Sequence, residues 1–316
     1  MTWLLLAAAF PALFWQQGPE TIPALKRAGI GCVHVPAEQA AAWTESGSCH
    51  TPVAPAALQA RETLPVPGVR WEINVASATR SPWVDSNGWR FLRAPHGHFV
   101  YELPSGKAAL AAAEAFAYDA DTWLKIDPND LEPLGRVLAF LKSVRAAGGS
   151  VPLPALANFC VDDDGSALVA EVLNLLSRRN LLLRAVAAPE PGCDLNVEIG
   201  SQRYPKSLAA NPAQFAERLR RDLTDEKRLL RIYGSDVVLG RLIGDGSRAR
   251  LHLVNYGSSR IEGLRVRVLG SYAKGKLAAF SHDAANLEDY AVLDGATEFT
   301  IPEMGVYAVV DLSDPH

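Results

Sequence analysis

A change of hydrophobic period near Ser235 divides this sequence into two kinds of fold. Beyond it, apolar residues alternate with polar ones in short runs at 237–242, 250–255, 264–269, 275–280, 297–301 and 306–312. Turn residues such as Gly244-Asp245-Gly246 and Asp294-Gly295 separate these runs. Period-two alternation broken by turns predicts strands half-buried on one face, and six of them in about eighty residues predict an antiparallel β-sandwich over 236–316.

Before Ser235 the rhythm is helix, stop, apolar strand. Residues 19–31 predict a short helix ended by Gly29, followed by a buried strand at 30–35 that Pro36 closes. An alanine-rich helix is expected at 37–46. The Pro-, Ser- and Thr-rich stretch 47–68 reads as a loop with a short helix at 55–62. Strands follow at 69–75, 98–103 and 122–126. Ser105 is a candidate N-cap for a nearly all-apolar helix over 106–118. Leu131, Leu134, Leu138 and Leu141 form one stripe of a helix over 129–145, and the run at 146–150 marks a boundary. Residues 155–235 repeat the pattern with strands at 156–161, 181–186 and 195–199. A helix carries Val169, Val172, Leu173 and Leu176, and a longer one carries Phe215, Leu219 and Leu223. The fold class is therefore α/β plus all-β, with a flavodoxin-like α/β layer over 150–235.

The 316 residues carry a net charge of −4, 48% hydrophobic and 21% charged residues, as in ordinary globular domains. Lys and Arg are dispersed, which argues against nucleic acid as a partner. The apolar run at 3–14 is too short to span a bilayer and has the length of a signal-peptide core, so 1–18 reads as a leader and export as the expectation, with a cytoplasmic chain as the alternative. Leu13-Phe14-Trp15 also reads as a first strand. No phosphate-binding glycine loop occurs, so no cofactor is expected. Cys32, Cys49, Cys160 and Cys193 lack metal-ligand spacing and suit either buried thiols or, in an exported chain, a Cys32–Cys49 disulfide.

The densest chemistry lies at 69–93. Trp71, Trp83 and Trp89 stand there among Arg70, Glu72, Asn74, Arg80, Asp85, Asn87, Arg90 and Arg93. Aromatic faces stack on pyranose rings, and carboxylates and amides take hydroxyls. The same composition also suits a buried, hydrogen-bonded loop. The strand at 69–75 would present these groups on the C-terminal side of a parallel sheet, where α/β folds bind ligands. An Asn87-Gly88 turn is expected beside Trp89.

The sandwich carries a likeness. The run RLHLVNYG at 250–257, a later Tyr272 and DGATEFTIPEMGVYAVVDL at 294–312 resemble the C-terminal module of barrel glycosidases. The order of segments resembles beta-galactosidase-like glycoside hydrolases. That resemblance implies a (β/α) barrel-like segment over 19–149, shortened because a complete barrel takes roughly 200 residues or more. It also implies a carbohydrate ligand, with a homo-oligomer as one possible state.

Glycoside hydrolysis needs two carboxyl groups facing one cleft. Glu72, Glu114 and Asp127 are the catalytic candidates. Trp83, Asp85, Asn87, Trp89, Arg90 and Glu102 are the substrate-binding candidates. Against this stands a bland reading, in which the arginines pair with the acids and the tryptophans pack a core. The alternative function is accordingly a non-catalytic sugar-binding or assembly protein on a glycosidase scaffold. His96 and His98 suit a solvated loop better than a metal site. Asp162, Asp163 and Asp164 suit a helix-capping turn with Ser166.

Overall fold

The structure, a computed structural model, describes residues 9–70, 82–148, 153–280 and 286–314. The chain forms two compact units, Met1–Pro67 with Ala94–Ala147, and Gly68–Arg93 with Gly148–His316.

In chain order the first unit supplies β1 (Ala12–Leu13), α1 (Ile22–Arg27), β2 (Cys32–Pro36), α2 (Ala40–Glu45), β3 (Cys49–Val53), α3 (Pro55–Gln59) and β4 (Glu62–Leu64). The chain then contributes β5 (Gly68–Arg70), β6 (Trp83–Asp85) and α4 (Gly88–Arg93) to the second unit. It returns with β7 (His98–Glu102), α5 (Ala108–Ala117), β8 (Asp121–Lys125) and α6 (Leu131–Ala147).

The first unit's strands are parallel. One sheet runs β1-β8-β7-β4, β2 pairs with β3, and a parallel bridge between Phe14 and His34 links the two groups. Read across, the order is β3-β2-β1-β8-β7-β4. The last strand of this unit thus lies beside its first. No ladder joins β3 to β4 among the described residues, so a closed barrel is not what they form. Behind the sheet, α6 meets α1 so closely that a Cβ on Gly135 would lie 1.8 Å from the Ala28 carbonyl oxygen.

One device ends several helices just before a strand. Gly29 (φ 72°) stands after α1, and the amides of Gly29 and Ile30 bond back to the carbonyls of Lys26 and Leu25. Asp119 (φ 55°) and Asn180 (φ 52°) occupy the same place after α5 and after α7 (Ala167–Arg178). Each has the same pair of backward bonds, the closure of a left-handed C-terminal residue.

The second unit has two layers. Its α/β layer is a parallel sheet ordered β10 (Leu183–Val186), β9 (Phe159–Asp162), β11 (Leu195–Val197), with α7, α8 (Lys206–Ala209) and α9 (Pro212–Leu223) around it. Its core holds Val169, Val172, Leu173, Leu176, Phe215, Leu219 and Leu223, the residues read from helical spacing. The sandwich is two four-stranded antiparallel sheets. One is β12 (Leu230–Tyr233), β15 (Ile261–Leu269), β18 (Ala296–Met304), β17 (Glu288–Leu293). The other is β13 (Val238–Gly244), β14 (Arg248–Asn255), β19 (Tyr307–Ser313), β16 (Lys274–Ala279). Inward rows such as Leu264, Val266 and Val268 meet Leu251, Leu253 and Val310 in one core.

Several local expectations are corrected. The stretch 47–68 contains β3 and β4, hidden from the sequence because their residues are mostly exposed and polar. Gly68–Arg70 does not extend the parallel sheet. It pairs antiparallel with Trp83–Asp85 in the second unit. Asn87-Gly88 starts a helix rather than a turn, with the Asn87 carbonyl accepting from the Arg90 and Phe91 amides. Ser105 does not cap α5. The distant Asp130 carboxylate accepts from the Gly106 and Ala108 amides instead. Strands β12 and β17 carry too little buried apolar surface to register as alternation.

The four cysteines form two disulfides, Cys32–Cys49 across β2 and β3, and Cys160–Cys193 beside β9. The second pair sits where buried thiols were the simpler expectation.

Candidate functional site

Strand alternation sorts the first unit's side chains onto two faces. On β7 and β8 the rows His98, Val100, Glu102 and Asp121, Trp123, Lys125 share a face, in register across the ladder. Phe99 and Tyr101 point the other way, toward α5. Trp123 is the centre of the first face. Phe14 stacks on it with centroids 6.0 Å apart, and His34 with centroids 4.9 Å apart. The Arg61 guanidinium lies 3.6 Å from its ring centroid. Phe14, Val53, Val100 and Trp123 form one apolar cluster with Ala12 and Leu58 against it. The middle of this face is therefore filled.

Its two ends differ. At the N-terminal end Arg61 grips both oxygens of Asp121 (3.0 and 3.3 Å) and the Phe99 carbonyl (3.0 Å), and His98 Nδ1 lies 2.5 Å from Asp121. Burial pushes the Asp121 carboxyl up, but the hydrogen bonds from Arg61 and His98 outweigh it and hold the group below its usual range. Burial, aided by the Arg61 charge, lowers the pKa of His34, against the opposing pull of Asp121.

The C-terminal end is the open rim, the edge where α/β sheets take ligands. There Lys125 donates to Glu102 at 2.7 Å, with its ammonium 5.8 Å from the Phe14 ring centroid. Glu102 is 62% exposed and Lys125 19%. Asp127 follows Lys125 by two residues and accepts from the Asn129 amide at 2.9 Å, capping the turn Pro128–Asp130. Gln16 and Gln17 leave β1 exposed at the same rim. The carboxylate, ammonium and amides of this edge have the donors and acceptors for sugar hydroxyls, while the Phe14 and Trp123 rings behind them are buried.

The predicted site residues separate. Glu102 ends β7 and Asp127 follows β8, both at the C-terminal edge of the parallel sheet. Glu114 lies on the opposite face of the sheet, fully buried in α5, and accepts from the Tyr101 hydroxyl at 2.5 Å. Glu72 lies outside the described residues, as do Trp71, Asn74 and Arg80.

Trp83, Asp85, Asn87, Trp89 and Arg90 belong to the second unit. Trp89 is buried in the core of the α/β layer, and Trp83 packs beside it with the Arg178 guanidinium 3.6 Å from its centroid. Asp85 accepts from Arg70 at 2.5 and 2.8 Å. Asn87 is buried and accepts from Arg90, whose guanidinium lies 4.2 Å from the Trp89 ring. Arg93 fastens the segment by two bonds to Asp163 (2.7 and 2.8 Å).

Phe14, His34, Arg61, Asp121, Trp123 and Lys125 were not singled out from sequence. Period-two reading of 121–125 places Asp121, Trp123 and Lys125 on one face, and that was the available signal. Among the described residues no three His, Cys, Asp or Glu side chains converge as metal ligands would.

No protein-family model and no curated protein matches the chain. Solved structures do. An alpha-L-fucosidase isoenzyme 2 from Paenibacillus thiaminolyticus superposes with a TM-score of 0.54 at 9% identity, over 83% of this chain and 66% of that one. A rhamnosidase from Novosphingobium sp. PP1Y gives 0.40 at 10% identity, over 68% and 31%. A GH42 beta-galactosidase from G. stearothermophilus gives 0.36 at 8% identity, over 79% and 53%. The chain thus spans just under two thirds of the fucosidase. The likeness to that enzyme is one of fold: a mixed α/β architecture with antiparallel sheets, of a kind found among glycoside hydrolases.

Proposed function

We propose that this chain is a carbohydrate-binding protein on a glycoside-hydrolase scaffold, holding its ligand at the C-terminal rim of the parallel sheet. Glu102, Lys125, Asp127, Gln16 and Gln17 take hydroxyls there. The observation that carries a binding role over a hydrolytic one is the engagement of the carboxylates. Glu102 is held by Lys125, Asp127 caps a turn, and Glu114 is bonded to Tyr101 behind the sheet. A two-carboxylate mechanism needs one acid protonated and aimed at the leaving oxygen and a second ionised across the cleft.

Hydrolysis is the second reading. It rests on Glu102 ending β7 and Asp127 following the adjacent strand β8 by two residues. A glycan array with a nitrophenyl-glycoside panel separates the readings. Binding without turnover supports the first. Turnover abolished by Glu102→Gln or Asp127→Asn supports the second. Neither binding nor turnover rejects both.

Two disulfides using all four cysteines support an exported chain, since such bonds persist in oxidising compartments. Thiol titration of protein from the native source, under alkylation, tests this. Four free thiols there would overturn export.

A further inference from the structure

A second concave surface lies in the α/β layer of the second unit, in a segment to which neither the resemblance nor the rim assigns a role. It has a volume of about 490 Å³ and is lined by Arg179, Leu208, Ala213, Gln214, Glu217, Arg218 and Arg221. That volume is within the range of small-ligand sites, roughly 300–1,000 Å³. The lining comes from the C-terminal end of α7, from α8, and from the exposed side of α9.

Its charge is unbalanced. Three guanidiniums and one carboxylate line it, two of the guanidiniums are already paired, and the charge left over is that of Arg221. Arg179 bonds Glu217, and Arg218 donates to Asp222 at 2.8 Å, a carboxylate that Arg203 shares at 3.6 Å. Arg221 is exposed and bonds no carboxylate among the described residues. The first turn of α9 adds Ala213 and Gln214, at the end of the helix where the backbone dipole is positive. Leu208 and Ala213 supply apolar surface, and Gln214 and Glu217 supply acceptors and a donor pair.

We infer that this groove binds an acidic saccharide through its carboxylate. The fork of Arg221 matches a carboxylate in bidentate geometry, and Arg218 adds a second cation. Leu208 and Ala213 take the apolar face of the ring, and Gln214 and Glu217 take hydroxyls. The saccharide assignment rests on the carbohydrate reading above. The anionic preference rests on the groove alone.

The test is calorimetric titration of the full chain with a galacturonate trisaccharide and with its carboxyl-reduced counterpart. The acid is expected to bind at least tenfold more tightly than the neutral sugar, and more weakly as salt rises. Arg221→Gln and Arg218→Gln each lower that affinity at least fivefold. Arg221→Lys, which keeps charge but loses the fork, falls between wild type and Arg221→Gln. Circular dichroism confirms that each variant is folded.

Equal binding of acid and neutral sugar, or unchanged affinity in both Gln variants, overturns the proposal. An oligodeoxynucleotide that binds as tightly as the trisaccharide and loses affinity in the same variants overturns the saccharide assignment. The rim is probed by neutral glycans on wild-type protein, so failure there is read separately from failure here.

Discussion

Two tryptophans carry an arginine at the same distance and differ in what surrounds them. Arg178 lies 3.6 Å from the Trp83 centroid in the second unit, and Arg61 lies 3.6 Å from the Trp123 centroid in the first. Trp83 packs with Trp89 against Val172, Leu173 and other side chains of a closed core layer. Trp123 lies on a strand face whose end carries the exposed pair Glu102–Lys125. The same stacked pair is thus a fastening in both places, since Trp123 is buried and Trp83 keeps part of its ring exposed; what differs is that the sheet face holding Trp123 ends at the exposed Glu102.

The contrast is broken most forcefully at Trp89. Trp89→Ala should cost the second unit about 3–5 kcal/mol, the range for emptying a buried aromatic site. Glycan affinity at the rim should stay within about twofold. Denaturant unfolding with calorimetry of the native protein measures both. A variant as stable as wild type would remove the core role from 83–93.

Disulfide removal follows. By loop closure, losing Cys160–Cys193, with a sequence separation of 33, should cost about 4 kcal/mol. Losing Cys32–Cys49, with a separation of 17, should cost about 3 kcal/mol. Paired Cys→Ser variants under chemical unfolding test the order. Equal stability of all forms would contradict it.

A pH series sharpens the comparison, since each unit holds a histidine kept neutral by burial. His252, fully buried in the sandwich and 2.6 Å from the Tyr307 hydroxyl, has its pKa lowered well below 6.5 by burial, then by Arg241 and Arg250. His34 is lowered less completely, being half-buried. In each case the unfolded chain takes up the proton and the folded chain does not. Stability is therefore full above pH ~6.5 and is lost as pH falls below it, by at most about 1.4 kcal/mol per pH unit for His252. His34 contributes less, because solvent screens it. Asn at position 252 should flatten the slope. An unchanged slope would show that His252 does not set it.

The smallest effect on folding belongs to the rim. Lys125→Met should change stability by less than about 1 kcal/mol, as a surface ion pair does. Glycan affinity should nevertheless fall about tenfold, the loss of a charged hydrogen bond.

How much was legible in the sequence follows the same physics. Helix stripes such as Leu131, Leu134, Leu138 and Leu141, and sandwich rows such as Leu264, Val266 and Val268, were readable because one buried face imposes its period on the chain. The Gly29 stop and the Ser166 cap were readable because their chemistry is local. Strands β3 and β4 were not, because edge strands of five and three residues bury little. The Asp130 cap on α5 was not, because it arrives from 22 residues away. Of the site, Glu102 and Asp127 were legible as charges at strand ends. Phe14 and Trp123 were not, since only pairing through β1 and β8 brings them together.

The most direct test of the central claim is calorimetric titration of the best array glycan into wild type and Glu102→Gln, with sugar release followed in the same samples. The account predicts binding by wild type, at least fivefold weaker binding by Glu102→Gln, and no released sugar in either. Wild-type release of free sugar that Glu102→Gln abolishes would contradict it.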